Sequence, residues 1–342
     1  MFIRNRWYVA GWADEVGSEP LRRILLGEPV VIFRKSDRSL AMLRDRCPHR
    51  AVALSRGKVI GDNIQCPYHG LEFDGGGVCV LNPHIKGSPQ AMRVHAFPVK
   101  IMHGAIWFWP GDVGAEATVP VPDFSILDRS DKFSVVRGYV HVNGNYKLVI
   151  DNLLDLSHAE YVHPNTVGTI GSSSTAKSNI ANGEDWVTVE RKIFDLKPSA
   201  VFSPVWNKSE RIDQESNMTW RSPSNLFLDL SVTVPGGSRE EGLRFPSAHL
   251  LTPETDRSTH YFWASARNFE LNSEEMNARV TRLVDQAFSK EDRPMIESAQ
   301  ENIDLEGPDY HLANFTVGDG GAMRARRIIE KMIVAEGDAG PN

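Results

Sequence analysis

Cysteine is scarce in this sequence: 342 residues contain three, Cys47, Cys66 and Cys79. Three cannot build a disulfide scaffold, and the number fits a reducing compartment. Long apolar runs are missing as well. No stretch approaches the roughly 18 consecutive apolar residues of a membrane span, and MFIRNRWYVAGW lacks the apolar centre of a signal peptide. A soluble, cytoplasmic protein without a membrane partner is expected. There is no basic excess either. The net charge of −6 leaves no footprint for nucleic acid and no long-range pull on an anionic substrate. No glycine fingerprint for a dinucleotide is present, so any NAD(P)H has to act through another protein.

What is there is an ordinary globular composition, 41% apolar and 24% charged, in a chain long enough for two domains. Residues 1–112 read as a small all-β domain. EPVVIFRK, SLAMLRD, NIQCPY and GAIWFWPG are β-rich and separated by turn residues, with a tight turn at Gly75–Gly77. Residues 113–342 read as a second domain, entered through an extended Pro- and Val-rich linker over 111–135.

Two matched loops stand out in the first domain, Cys47-Pro48-His49-Arg50 and Cys66-Pro67-Tyr68-His69-Gly70. Two Cys and two His on paired loops make a four-ligand site. A structural zinc accepts that donor set. So does a Rieske cluster, with two Cys on one iron and two His on the other. The C-x-H half, with ligands of unequal length close together, suits a two-metal cluster better than one zinc. Cys79 is left over and reads as a small buried hydrophobe. A cluster of this kind moves one electron and makes no bonds, so something in the remaining chain has to use that electron.

The segment NYKLVIDNLLDLSHAEYVH, residues 145–163, is the first candidate. From Leu148 to Val162 the pattern is helical, and Asn152, Asp155 and His158 share the inward face with Leu148 and Val162. His163 lies about 140° of rotation from His158. Both reach one ion only if the helix ends between them, and Pro164 supports that end. Two His need a carboxylate to complete the facial triad of a non-haem ferrous site. EEMNARVTRLVDQAFSKEDRPMIESAQ is a strong amphipathic helix whose stripe of Met276, Val280, Leu283, Val284, Ala287 and Phe288 continues in steps of four to Asp292. Asp292 is thereby turned inward, unlike Glu291 or Asp285. Pro294 is expected to kink the helix and open the carboxylate to the metal.

Between these segments, NLFLDLSVTVPG, SAHLLTPE and THYFWASARNF alternate as antiparallel strands, with a turn at 252–258. The expected fold class is α+β: the all-β domain, then a catalytic domain in which a curved antiparallel sheet grips a long helix (helix-grip type). Asn225 and His249 on this sheet are candidate polar contacts for a substrate, although alternation sets Asn225 opposite the leucine face. Leu283 is a candidate wall of the pocket. MRARRIIEKMIV reads as an amphipathic helix with a solvated cationic face, followed by an unstructured tail over 337–342.

Taken together these residues resemble the oxygenase component of Rieske non-haem iron oxygenases. The N-x2-D-x2-H-x4-H motif is complete in Asn152, Asp155, His158 and His163, and Asp292 in its KED context matches the third iron ligand. CPYHGLEFDGGG, DNLLDLSHAEYVH and the TPET–HYFWASARNF hairpin resemble the branch that includes vanillate O-demethylase and dicamba monooxygenase. The resemblance implies a [2Fe-2S] cluster on Cys47, His49, Cys66 and His69, and mononuclear Fe(II) on His158, His163 and Asp292. It also implies a head-to-tail homotrimer in which the cluster of one subunit serves the iron of the next. Asp155 would bridge the neighbouring subunit's cluster ligand His69 to His158, and Asn152 is a further candidate of the catalytic set, with a structural role as its alternative. Electrons would come from NAD(P)H through a separate reductase or ferredoxin. The implied reaction is O2-dependent O-demethylation of a methoxylated aromatic, an aromatic acid by expectation, with release of formaldehyde. N-dealkylation and ring or methyl hydroxylation share every ligand. A non-catalytic electron carrier or sensor, and a zinc-structured binding module, are the readings of a different class.

Overall fold

The computed structural model describes residues 1–85, 91–168, 171–307 and 316–338. The chain forms two compact units. One comprises residues 2–122 with 252–255; the other comprises 123–251 and 256–342 with Met1.

The first unit is all β apart from short turns. Tyr8–Trp12, Ala105–Phe108 and Val99–Met102 form one antiparallel sheet, and Leu21–Leu25, Glu28–Arg34 and Leu40–Arg44 a second. A four-stranded sheet, Lys58–Ile60, Asn63–Gln65, Glu72–Phe73 and Cys79–Leu81, carries the cysteine-bearing loops. Its core gathers Phe33, Leu43, Leu54, Ile64 and Phe73 around all three cysteines. Cys79 is fully buried, and its thiol donates only to its near neighbour, the Leu81 carbonyl, at 3.4 Å. The unit runs on to Pro122, and the Trp7 indole donates to the Val119 carbonyl at 2.8 Å. The expected extended linker contains two short 3-10 turns, Ala115–Ala117 and Ser125–Asp128.

The second unit is built on an eight-stranded antiparallel sheet. Its order runs from Ser134–Val142 through Ser258–Arg267, Ser247–Thr255, Asn225–Thr233, Ile212–Arg221 and Trp186–Leu196 to Lys177–Asn182, with Leu243–Arg244 pairing at one side. The hairpin turn is tighter than predicted, closing on Asp256 and Arg257. Gly138 pairs with Trp263 across the sheet, and a Cβ there would sit 2.2 Å from the indole. Glycine is needed at that crossing.

Two helical expectations change. Residues 148–162 are two helices, Tyr146–Leu154 and Ala159–Val162, not one. The long helix is three pieces: Glu274–Gln286, a π-turn over Ala287–Asp292, and Arg293–Glu306. The rod is continuous here, with Arg293 N–H donating to the Phe288 carbonyl, and Pro294 follows directly on the π-turn, which is the irregularity at this point of the helix. The C-terminal helix spans Gly320–Asp338 and takes in the start of the expected tail; residues 339–342 lie outside the described residues. Its cationic face is not simply solvated. Arg326 forks onto Asp151 at 2.9 and 3.0 Å, tying this helix to Tyr146–Leu154, and Arg324 donates to the Ile180 carbonyl at 3.1 Å.

Candidate metal centre and adjoining cavity

The two loops of the first unit are held open by their own backbones. Ala51 N–H donates to the Cys47 carbonyl at 2.9 Å, and Gly70 N–H to the Cys66 carbonyl at 3.1 Å, with Gly70 at φ +72°. Cys47 and Cys66 are buried, His49 is exposed and His69 is half-buried. The two imidazole Nδ1 atoms stand 3.1 Å apart. Burial, with a smaller push from the neighbouring Cys66 thiol, drives the Cys47 thiol up to about 11. A coordinating thiol is deprotonated by its metal, which reverses that shift. Two sulfurs on the inside and two nitrogens on the outside fit the [2Fe-2S] donor set.

In the second unit, His158, His163 and Asp292 converge. His163 Nε2 is 3.1 Å from Asp292 Oδ1, His158 Nε2 is 3.4 Å from the same oxygen, and the two Nε2 atoms are 3.3 Å apart. Ligands at about 2.1 Å from one ion lie roughly 3.0 Å apart when cis-octahedral and roughly 3.4 Å when tetrahedral, so one ion fits all three. The one-turn helix Ala159–Val162 sets this geometry. His158 caps its start, and His163 caps its end with non-helical φ −117° and ψ 37°. The helix end expected between His158 and His163 is therefore present, at Val162. A further break at Asp155 (φ −89°, ψ 87°) frees His158 from the first helix. Gly168 N–H donates to the His163 carbonyl at 3.0 Å, and a Cβ at Gly168 would lie 2.0 Å from the Ala159 carbonyl. Only glycine lets the chain turn back so tightly after His163.

The tautomers make the site an acceptor cluster. His163 Nδ1–H donates to Glu291 Oε2 at 2.7 Å, and His158 Nδ1–H donates to the Asp155 backbone carbonyl. Both Nε2 lone pairs then face a buried carboxylate, and only protons or a cation can reconcile them. Burial alone would raise the Asp292 pKa. Hydrogen bonds from His158 and His163 and their charge outweigh it and hold the carboxyl well below the usual range. Burial would depress His163, but Asp292 and Glu291 outweigh it and raise its pKa.

Glu291 escapes the sequence reading, which turns it away from the core. The π-turn places consecutive residues 291 and 292 on opposite nitrogens of one imidazole. Thr166, fully buried, also donates to Glu291 at 2.6 Å. Asn152 Nδ2 donates to Asp292 Oδ1 at 3.0 Å, so it bears on the metal through the carboxylate. The Asp155 side chain bonds to its near neighbour in this chain. It accepts from Ser157 N–H at 2.9 Å and from the Ser157 hydroxyl, while the buried Arg191 donates to the Leu156 carbonyl.

A cavity of about 100 Å³ lies directly against His158, His163 and Asp292. Phe202, Met218, Leu228, Leu230, Val284 and Phe288 form much of its wall. Of the three expected substrate contacts, one lines it: His249, buried on Ser247–Thr255. Asn225 is buried outside the lining, on the opposite side of its strand from Leu228 and Leu230, as alternation requires. Leu283 is half-buried and does not line the cavity. The inward row runs Val280, Val284, Phe288, Asp292, and Leu283 sits about 100° to its side. The apolar role expected of Leu283 falls to Val284.

Two family descriptions match this chain: the Rieske [2Fe-2S] domain over residues 6–98, and the vanillate O-demethylase oxygenase C-terminal domain over residues 142–335. The oxygenase component of dicamba O-demethylase from Stenotrophomonas maltophilia is 37% identical, over 97% of this chain and 98% of that one. The oxygenase component of a chloroacetanilide N-alkylformylase from Rhizorhabdus wittichii is 36% identical, over 98% and 97%. A crystal structure of dicamba monooxygenase with non-haem iron and dicamba superposes with a TM-score of 0.86 at 34% identity, covering 99% of both chains.

Asp292→Ala is expected to abolish mononuclear iron binding while leaving the cluster absorbance intact. Glu291→Gln is expected to keep the iron but weaken its affinity roughly 10- to 100-fold. Iron titration of the depleted proteins measures both, and Glu291→Gln matching wild type would remove Glu291 from the site.

Burial depresses His249 to about 4 in the folded protein. The unfolded chain takes up a proton near pH 6.5, the folded chain only near 4, so stability falls as pH drops through that window and is unaffected above it. Urea unfolding of metal-free protein should show wild type losing about 2 kcal/mol more than His249→Gln between pH 7 and 5. Equal losses would mean His249 is solvated.

Proposed function

The chain belongs to the Rieske non-haem iron oxygenase family, and on that premise we propose that it removes a methyl group from a methoxylated aromatic compound as the terminal oxygenase of a multicomponent system. The observation that carries this reading is the position of the cavity. An apolar space lined by His158, His163 and Asp292 puts a bound ring against the metal position, with no intervening layer of side chains. Bound iron supplies O2 activation and oxidation of an unactivated C–H bond. One oxygen atom enters the methyl C–H and the other leaves as water, using two electrons and two protons. The hemiacetal then splits into formaldehyde and a phenol.

The residues of this chain divide that work. Cys47, His49, Cys66 and His69 hold the cluster within an electron-relay domain, residues 1–112. His158, His163 and Asp292 hold iron within a catalytic domain, residues 113–342. Asn152 and Glu291 fix the carboxylate and the His163 ring. The cavity wall positions the ring and excludes water, with His249 its polar contact. Electrons originate in NAD(P)H and arrive through a reductase or ferredoxin partner. The exposed edge of His49 and the half-buried Asp155 support a head-to-tail homotrimer in which Asp155 links one subunit's iron ligand to the next subunit's cluster. Among the described residues no helix is long and apolar enough to cross a membrane. With three free cysteines, that supports work in the cytoplasm.

N-dealkylation is the second reading. It rests on the 36% identity to the chloroacetanilide enzyme and uses the same residues. Reduced protein given O2 and panels of methoxyaromatics and N-methyl aromatics separates the two. Formaldehyde with a phenol is expected; formaldehyde with an amine alone selects the second reading, and no formaldehyde from either removes both. Asp155→Asn should retain cluster and iron yet slow turnover by roughly 10- to 100-fold. Unchanged turnover would take Asp155 out of the electron path.

A further inference from the structure

The two histidines of the metal centre differ in what stands behind them. His158 Nδ1–H donates to a neutral group, the Asp155 backbone carbonyl. His163 Nδ1–H donates to a carboxylate, Glu291 Oε2, at 2.7 Å. The same oxygen accepts from the Thr166 hydroxyl at 2.6 Å, and Glu291 Oε1 accepts from Gln286 Nε2 at 3.0 Å. Thr166 and Gln286 carry no charge, and among the described residues no Lys or Arg pairs with Glu291. The Glu291 side chain is 16% exposed and the His163 side chain 3%, so solvent screens little of the interaction. Glu291 therefore directs a carboxylate charge at one ring, and His158 has no counterpart.

Charge balance says what this does to a metal. Asp292 and Glu291 contribute two negative charges and the neutral imidazoles none. Fe(II) brings the total to zero, whereas Fe(III) leaves one positive charge in a buried site. Without Glu291 those totals become one and two. The Born cost of burying charge grows as its square, so the loss falls harder on Fe(III) than on Fe(II). The hydrogen bond acts in the same direction, because a carboxylate behind the ring raises the basicity of Nε2. Thr166 opposes it. Its hydroxyl draws on the same Oε2 and leaves less of that charge to His163.

We propose that Glu291 lowers the reduction potential of the mononuclear iron through His163, and that the π-turn is the device that brings it there. In this turn residues 291 and 292 reach opposite nitrogens of one imidazole, so a single ring lies between the metal-binding carboxylate and its backing carboxylate. In the step concerned one electron leaves Fe(II) to give Fe(III), and the proton stays on His163 Nδ1. A lower potential makes the ferrous ion the better electron donor to O2. The inference rests on the iron-oxygenase reading of this site and adds which ligand makes the iron reducing.

The test is an anaerobic potentiometric titration of iron-loaded protein, read by electron paramagnetic resonance, which distinguishes Fe(III) at the mononuclear site from the reduced cluster. Glu291→Gln keeps an acceptor for Nδ1–H and removes the charge. It is expected to weaken Fe(III) binding roughly 100-fold more than Fe(II) binding, which at about 59 mV per tenfold raises the iron potential by about 120 mV. Thr166→Val removes the competing donor and keeps the charge. It should shift the same ratio roughly three- to tenfold the other way and lower the potential. The cluster potential is expected to stay unchanged in both. An unchanged or lowered iron potential in Glu291→Gln, an unchanged or raised one in Thr166→Val, or a cluster potential that moves with the iron overturns the proposal. A merely structural role would shift both variants the same way. Thr166→Val decides alone if Glu291→Gln holds too little iron to titrate. No substrate is present, so failures separate. Shifts of opposite sign without formaldehyde from any panel compound sink the demethylase reading and leave the tuning standing. Formaldehyde release with unshifted potentials does the reverse.

Discussion

Three lone-pair donors aimed at one point repel each other unless something positive stands between them, and the second unit is organised around that constraint. His158 Nε2, His163 Nε2 and Asp292 Oδ1 lie 3.1–3.4 Å apart, with Asp292 and His163 buried. Each is pinned from behind: Nδ1 of His158 by the Asp155 carbonyl, Nδ1 of His163 by Glu291, and the Asp292 carboxylate by Asn152. The imidazoles cannot swing away and the carboxylate cannot reach water. The fold thus holds an arrangement whose internal repulsion is the source of its affinity for a cation.

Two departures from regular helix make this possible. The first ends Tyr146–Leu154 early and starts a separate turn, so His158 and His163 sit at its two ends and not on opposite faces of one rod. The second is the π-turn over Ala287–Asp292, which brings Glu291 and Asp292 to opposite nitrogens of one ring. A regular helix would place neighbouring side chains about 100° apart and offer the ring only one of them.

The parts of this architecture that follow from periodicity and donor chemistry were legible in the sequence. Paired Cys and His loops, alternating strands, and a stripe ending on Asp292 all rest on regular repeats. The leucine face of Asn225–Thr233 turns to the cavity as alternation requires. The features that stayed hidden depend on broken repeats. Glu291 looked solvent-facing because nothing in SKEDR announces a π-turn. Leu283 stood in for Val284 because a stripe fixes a face only to within about one position. Arg326 seemed a solvated charge because its partner Asp151 lies far away in sequence.

The π-turn also bears on which length changes the chain can absorb. It holds one residue more than an α-turn and absorbs that surplus locally. Losing a residue between Ala287 and Asp292 would rewind the segment to ordinary helix, keeping the helices on either side in phase but taking Glu291 and Asp292 off their shared ring, whereas losing one from the regular helix would rotate everything after it by about 100°. The Val234–Gly242 connection, with a turn at Gly236 and little buried surface, imposes no such phase on the strand after it. That connection can change length without moving the metal ligands, and the helix that carries Asp292 cannot.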